Sequence, residues 1–493
     1  MQIEIKKVFK HTSIYGLGNF ATKGIALLLL PLFTSYLTPQ DYGILQLCNI
    51  LSSFILIVIT LGMTSSMFRV YYNTNVPDEK RLIIDSTFTT YLIFSILLLI
   101  PLFLFSQLIG NALIPGNENS YIFRIIILGT FLEGFLNLQL AKLRAEEKSG
   151  IYATITVIRI IFYALLNVFF VAQLKRNFIG VREAILIAVF MSIIILIPFT
   201  IKKIKLRISI VLIREILQIG IPLAIGGIAI FILNLTDRYM LKYLLDPSIA
   251  LAQIGLYSLG SKLASLIRLT LVAPFMLAWG SLMFSYQNNP NAKQIYAKIL
   301  NYFVFIGGLY FLLISIFSKE IIQTIASQTS YYEAYKVVPI LALSSFLSGI
   351  YTVFTVGIII QRKTKYIVYS NYSAAISNIV LNLILIPKFG ILGACGASLA
   401  AYLINVLLVY YFAQRSYPIT YQIIKNITYI IFLVFINYLV WNYNFYLKIL
   451  FFILVIIISP SFKLITYNQI FNVVKYLYKC KLVKLKIFEK KGN

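Results

Sequence analysis

The chain has 493 residues, of which 60% are hydrophobic and only 12% charged, a composition that excludes an ordinary soluble domain and fits a polytopic helical membrane protein. A formal charge of +27 does not indicate a nucleic-acid partner, because the basic residues punctuate apolar runs instead of gathering in one patch. The single histidine, His11, excludes histidine relays and zinc sites, and Cys48, Cys395 and Cys480, with no CxxC pair among them, support neither a disulfide framework nor a metal centre.

The chain opens with a basic stretch over 1–10, followed by an apolar run over 12–36. That run is too long for the apolar part of a signal peptide and has no small-x-small cleavage site, so it reads as an uncleaved first span. About 20 apolar residues cross the hydrocarbon layer. On that measure the next five spans fall near 42–68, 84–109, 121–141, 150–174 and 183–201. A second set of six follows near 215–244, 253–285, 296–317, 335–360, 366–386 and 391–413. A final pair lies near 423–441 and 446–465, ahead of a basic tail over 467–493. The expected architecture is all-α with about 14 transmembrane helices. An N-terminal lobe covers 1–205, a C-terminal lobe 206–415, and the last two spans 416–466. The connecting loops are too short to hold a separate domain.

Charge asymmetry supports this layout. With the N-terminus placed in the cytoplasm, 29 Lys and Arg residues fall in cytoplasmic segments, 8 in outer segments and 6 within spans. The positive-inside rule then gives an even number of spans with both termini inside. The basic tail reads either as an interfacial helix on anionic lipid or as a solvated cytoplasmic end.

The two sets of six spans share a weak internal repeat. The segment 23–26 matches 226–229, and Tyr36 then falls on Tyr239. Further on, the segment 41–45 aligns with 253–257 at an offset of 212 (255 less 43). Asn167 aligns with Asn382 at an offset of 215 (382 less 167), which also places Lys148 on Lys363. Because each half has an even number of spans, the halves share one orientation. A parallel repeat about an axis along the membrane normal suits two lobes rocking around a central cavity. Glycines at 16, 18 and 24 in the first span and at 220, 226 and 227 in the seventh mark matching elements, suited to gating or to close packing.

Six cations lie inside the spans: Lys23, Arg124, Arg159, Arg238, Lys262 and Arg268. Only Glu133 and Asp237 oppose them at similar depth, which leaves a net +4. A charge near the bilayer centre costs about 2.5–3.5 kcal/mol on insertion scales, so such groups face a bundle interior or a wet cavity. An interior kept positive suits an anion. Helical spacing adds polar faces that line such a cavity or bind helices together. Asn19 and Lys23 share a stripe in the first span. Ser258, Ser261, Ser265 and Arg268 share one in the eighth. Asn378 and Asn382 share one in the eleventh. Arg124, near a span end, also suits snorkelling to the interface. Asp237 and Glu133 are the candidates for ion coupling, to a proton or a sodium gradient, or for salt bridges.

The segments 15–19 and 37–43, then 236–239 and 255–258, then 386–394 resemble those of bacterial polysaccharide repeat-unit flippases, the O-antigen or Wzx-type transporters. The resemblance covers nearly the whole chain and implies membership of the superfamily that holds the MATE drug exporters and the lipid II flippases. It implies 12–14 helices in two lobes and a cationic central cavity. It further implies a substrate built as a short glycan on undecaprenyl diphosphate, flipped from the cytoplasmic to the outer leaflet. A polysaccharide polymerase and a chain-length regulator are the protein partners it suggests; no cofactor is implied. On this reading Lys23, Arg159, Arg268, Lys262, Arg238 and Arg124 meet the diphosphate, with Asn19, Ser261, Ser265 and Asn378 lining the passage.

Other readings fit less well. A chamber for cationic drugs needs acidic or aromatic walls, and a positive interior repels such cargo. A membrane polysaccharide polymerase needs a large outer loop or a carboxylate cluster at a membrane face, and the chain has neither. A lipid II flippase shares both anchor and charge, and stays open.

Overall fold

The computed structural model of the chain describes residues 24–25, 27–114, 119–200, 204–462 and 464. The described residues form helices and no strands. In hydrocarbon every backbone N–H and C=O must be satisfied within its own segment, and the helix does this locally. The first span reaches the described residues only at its C-terminal end, as the short helix Leu30–Tyr36.

The longer helices are labelled in chain order. The first six are α1 (Pro39–Thr60), α2 (Met63–Asn73), α3 (Pro77–Leu104), α4 (Asn119–Ala145), α5 (Ser149–Asn167) and α6 (Asn177–Thr200). They are followed by α7 (Ile210–Leu235), α8 (Asp237–Leu244), α9 (Pro247–Ala264), α10 (Ala273–Tyr286) and α11 (Ala292–Ile316). The last are α12 (Val338–Phe354), α13 (Lys365–Ser416), α14 (Ile423–Val440) and α15 (Phe445–Ile458). The described residues contain 12 segments long and apolar enough to cross a membrane. One of these, α13, is two helices joined at Gly390, where φ 57° and ψ −133° leave the helical region. The first span lies mostly outside the described residues, so the expectation of about 14 stands as an approximate count.

By its internal contacts the chain divides into two compact units. The first takes in the chain up to Lys262 with Ile322–Val337 and Asn371–Ala401. Its core joins α1 to α4 through Ile44, Leu51, Phe88, Phe123 and Ile127. Tyr91 is buried there with its hydroxyl donating to Phe131 O at 2.7 Å. The second unit takes in Leu263–Ile321, Val338–Ser370 and the chain from Tyr402 on. Its interior is sewn by polar contacts: Asn426 donates to Asn301 Oδ1 at 3.0 Å, and Lys448 pairs with Glu320 at 2.7 Å.

Local sequence sets the start of α1. Thr38 and Asp41 form a reciprocal capping box, and Pro39 occupies the first turn, where its missing N–H costs nothing.

The repeat read from the sequence has a geometric counterpart. A Cβ on Gly43 of α1 would lie 2.1 Å from Leu251 O, and one on Gly255 of α9 would lie 2.0 Å from Pro39 O. Position 251 is as far from 39 as 255 is from 43, so each helix touches the other at equivalent positions. The offset of 215 is also visible in the backbone. Glu147 (φ 57°) and Arg362 (φ 55°) are both left-handed, and Lys148 and Lys363 follow them with N–H groups bonded five residues back, to Leu143 O and Ile358 O. Lys175 (φ 51°) and Gly390 (φ 57°) stand at the same offset.

Candidate functional site

The polar interior of the first unit is built from α1, α4, α5 and α6. Glu133 on α4 projects toward α5, where Arg159 Nη2 donates to its Oε1 at 2.7 Å. Both side chains keep between a fifth and a quarter of their surface exposed. A cavity of about 200 Å³ opens beside the pair, walled by Tyr163, Ile160 and Ile185.

Glu133 and Ile185 also line a second cavity of about 340 Å³, with Asn49, Ser52, Ser53 and Thr130 as its polar walls. The cation in this cavity is Arg182, on α6. It is 5% exposed. Its Nη1 donates to Asn49 Oδ1 at 2.8 Å, and its Nη2 donates to Cys48 O at 3.4 Å and to Ser52 Oγ. All three acceptors are neutral, and among the described residues no carboxylate lies within ion-pairing distance of Arg182. A guanidinium taken out of water is costly unless dipoles or an anion compensate it. Here three dipoles fix its orientation, and the guanidinium sits at the cavity wall without a direct carboxylate partner among the described residues.

The second polar cluster joins α8, α9 and the part of α13 that belongs to the first unit. Asp237 is 1% exposed. It accepts hydrogen bonds from Tyr257 Oη at 2.5 Å, Ser398 Oγ at 2.7 Å and Asn382 Nδ2 at 2.8 Å. Its described partners are therefore neutral donors, not a cation. Arg238, next in sequence, turns to the serine stripe of α9: Nε donates to Ser258 Oγ at 3.2 Å and Nη2 to Ser261 Oγ at 2.9 Å. Nη1 donates to Asn234 O at 2.9 Å. Asn378 accepts from Asn382 Nδ2 at 3.1 Å, while its own amide nitrogen is buried without a partner. Lys262 Nζ lies 5.3 Å from the ring centre of Tyr42.

The remaining candidates are placed elsewhere. Arg124 is exposed on α4, donating to Ser106 Oγ at 2.8 Å and lying 5.1 Å over the Phe103 ring. Arg268 belongs to the second unit, where Nη1 donates to Tyr402 Oη at 3.2 Å. Ser265 is half-buried one helical turn before it. Lys23 and Asn19 lie outside the described residues.

Arg182 escapes a reading by apolar runs. Span counting starts the sixth helix at 183 and leaves Arg182 in an outer loop. In the structure α6 begins at Asn177, so Arg182 sits more than a turn inside it. The neighbouring pattern, Arg-Glu just before a long apolar run, was the available signal. Glu183 is likewise buried, accepting from Tyr121 Oη at 2.8 Å and pairing with Arg176 at 2.8 Å. Lys142, Lys448 and Asp85, also read as loop residues or left aside, are buried as well.

The profile of the polysaccharide biosynthesis protein family matches residues 33–329. A curated relative, Lsg locus putative protein 1 of Haemophilus influenzae, is 24% identical over 275 residues. That match covers 54% of this chain and 64% of the relative, less than two thirds of the relative's length. Among solved structures, the lipid II flippase MurJ in an inward closed conformation superposes with a TM-score of 0.72 at 18% identity, covering 90% of this chain and 98% of its own. An inward-facing multidrug resistance MATE family transporter of the MOP superfamily gives 0.64 at 13% identity, covering 80% and 94%. The MATE transporter VcmN of Vibrio cholerae gives 0.56 at 16% identity, covering 83% and 97%. The chain belongs to the polysaccharide biosynthesis protein family, and it carries the multi-pass helical fold shared by MurJ and the MATE transporters.

Proposed function

We propose that the protein flips lipid-linked oligosaccharide repeat units, carried on undecaprenyl diphosphate, across the bacterial inner membrane by alternating access. The observation that carries this reading is the buried guanidinium of Arg182, oriented by neutral dipoles toward a cavity within the membrane-spanning helices. The diphosphate must shed water to cross, and Arg offers it paired N–H donors in a fixed fork. A cavity of about 340 Å³ suits a phosphate-sized group and its first polar neighbours, while the polyprenyl chain stays in lipid. The lobes 1–205 and 206–415 would rock against each other; the cavity itself is lined by the first of them, and Lys23, Lys262 and Arg238 would contribute further positive charge to the path.

Of the two coupling candidates, Glu133 suits the task better. It borders both cavities and holds Arg159, so an incoming phosphate competes with it for the same guanidinium. Asp237 is sealed and fully engaged by its three donors, which fits a structural part.

The test is reconstitution into proteoliposomes with an undecaprenyl-diphosphate-linked oligosaccharide loaded in one leaflet. Sugar exposure at the opposite face, read by an impermeant glycosidase, should accelerate over protein-free vesicles and respond to an imposed proton gradient. No acceleration with any lipid-linked glycan overturns the reading. Acceleration with lipid II alone moves the assignment to a lipid II flippase, the reading favoured by the overlap with MurJ.

A further inference from the structure

A separate cavity of about 380 Å³ lies at one end of the first unit, distinct in its lining from the two described above. It is bounded by Tyr71 of α2, Lys80, Arg81 and Asp85 of α3, Lys142 of α4, and Glu146 just past the end of α4. α2 ends at Asn73, α3 begins at Pro77 and α4 ends at Ala145. The apolar segments therefore terminate together around it, at the level where a spanning helix leaves hydrocarbon for the headgroup layer.

Its charges are sorted. Glu146 is already engaged, 2.6 Å from Lys148 and 3.9 Å from Lys142. Lys142 is 3% exposed and spends a proton on Thr200 O at 2.7 Å. Lys80 lies 5.0 Å over the Tyr71 ring, and among the described residues neither Lys80 nor Arg81 is paired with a carboxylate. Asp85 is 1% exposed; its Oδ1 accepts the Lys205 N–H at 3.1 Å, but its Oδ2 is buried with no hydrogen-bond partner. A buried carboxylate oxygen without a donor is costly, and sites of this kind are held for a ligand that supplies one. Two unpaired cations and one unfilled carboxylate, in a cavity at headgroup depth, call for a group that is anionic at one end and an N–H donor at the other.

We propose that this cavity binds the phosphoethanolamine headgroup of a membrane phospholipid, its phosphate on Lys80 and Arg81 and its ammonium on Asp85. The ammonium must carry N–H bonds to satisfy Oδ2, so the site distinguishes phosphatidylethanolamine from its trimethylated counterpart, phosphatidylcholine. A free anion satisfies the cations but not the carboxylate.

The experiment is native mass spectrometry of the full-length protein in detergent, titrated separately with phosphatidylethanolamine, phosphatidylcholine and phosphatidylglycerol. One charge-assisted hydrogen bond corresponds to about a tenfold affinity difference, so wild type should prefer ethanolamine over choline by about that factor. Asp85→Asn keeps the Oδ1 acceptor for Lys205 and should reduce the preference to near unity. Lys80→Ala with Arg81→Ala should weaken both lipids together and leave their ratio intact. Equal binding of ethanolamine and choline lipids by wild type, an unchanged ratio in Asp85→Asn, or tightest binding of phosphatidylglycerol each overturns the proposal. Should Asp85→Asn not fold, the wild-type ratio and the double cation variant still decide it.

Discussion

Asp237 offers the sharpest test of how the interior is held. Replacing it by Ala removes the acceptor of three hydrogen bonds from Tyr257, Ser398 and Asn382 at a site that is 1% exposed. A hydrogen bond to a charged group contributes about 1.5–3 kcal/mol net, and the smaller figure applies here because deleting the carboxylate also removes the cost of burying it. Three such bonds give a loss of about 4.5 kcal/mol. The two hydroxyls can turn to other acceptors, but the Asn382 amide, still donating to Asn378, is left with one N–H unfilled. Asp237→Asn keeps Oδ1 for Asn382 and should cost about half as much. The assay is unfolding in detergent, with a double-mutant cycle against Asn382→Ala. The cycle should show a coupling of about 1 kcal/mol or more, since the two residues share a bond. Wild-type stability in Asp237→Ala, or strict additivity with Asn382→Ala, refutes the structural assignment and returns Asp237 to the coupling candidates.

Two further outcomes are expected. Arg182→Lys keeps a charge but loses the planar fork that reaches Asn49, Cys48 O and Ser52, so transport per folded molecule should fall about tenfold or more while membrane levels hold; undiminished flipping in proteoliposomes contradicts the cavity reading. Gly43→Ala and Gly255→Ala each place a Cβ about 2 Å from a backbone oxygen that cannot move alone, and overpacking of this kind costs about 1–3 kcal/mol. Because the contacts are equivalent, the two costs measured by thermal unfolding should agree, and tolerance at one site with damage at the other refutes the equivalence.

The fold was largely legible in the sequence because hydrocarbon admits few backbone solutions: long apolar runs of the right length had to become helices. The internal repeat was legible in the matched segments 41–45 and 253–257 and in Asn167 and Asn382, and the backbone repeats it in left-handed Glu147 and Arg362 and in the paired contacts of Gly43 and Gly255. The site was only half legible. Helical spacing placed Ser258 and Ser261 on one face, and Arg238 does bond both. It placed Asn378 and Asn382 on another, but nothing in spacing shows that Asn382 reaches Asp237, 145 positions away. Arg182 and Lys142 were misplaced because hydropathy puts a span boundary at the first charge, and Lys448, two residues inside the last span, was counted with the outer segments. A helix extends past that charge whenever another segment supplies an acceptor, as Asn49, Thr200 O and Glu320 do here.

The reciprocal touch of α1 and α9, with Pro39 against Gly255 and Leu251 against Gly43, is the kind that two copies of one polypeptide make across a dyad. A half-length ancestor with a glycine at that single position would have satisfied both sides at once, as a self-complementary homodimer. Duplication and fusion would then have freed each half to diverge. At the offset of 215, Glu133 and Arg159 fall on Ser348 and Ala374, so one copy keeps an acid–guanidinium pair where the other carries neither charge.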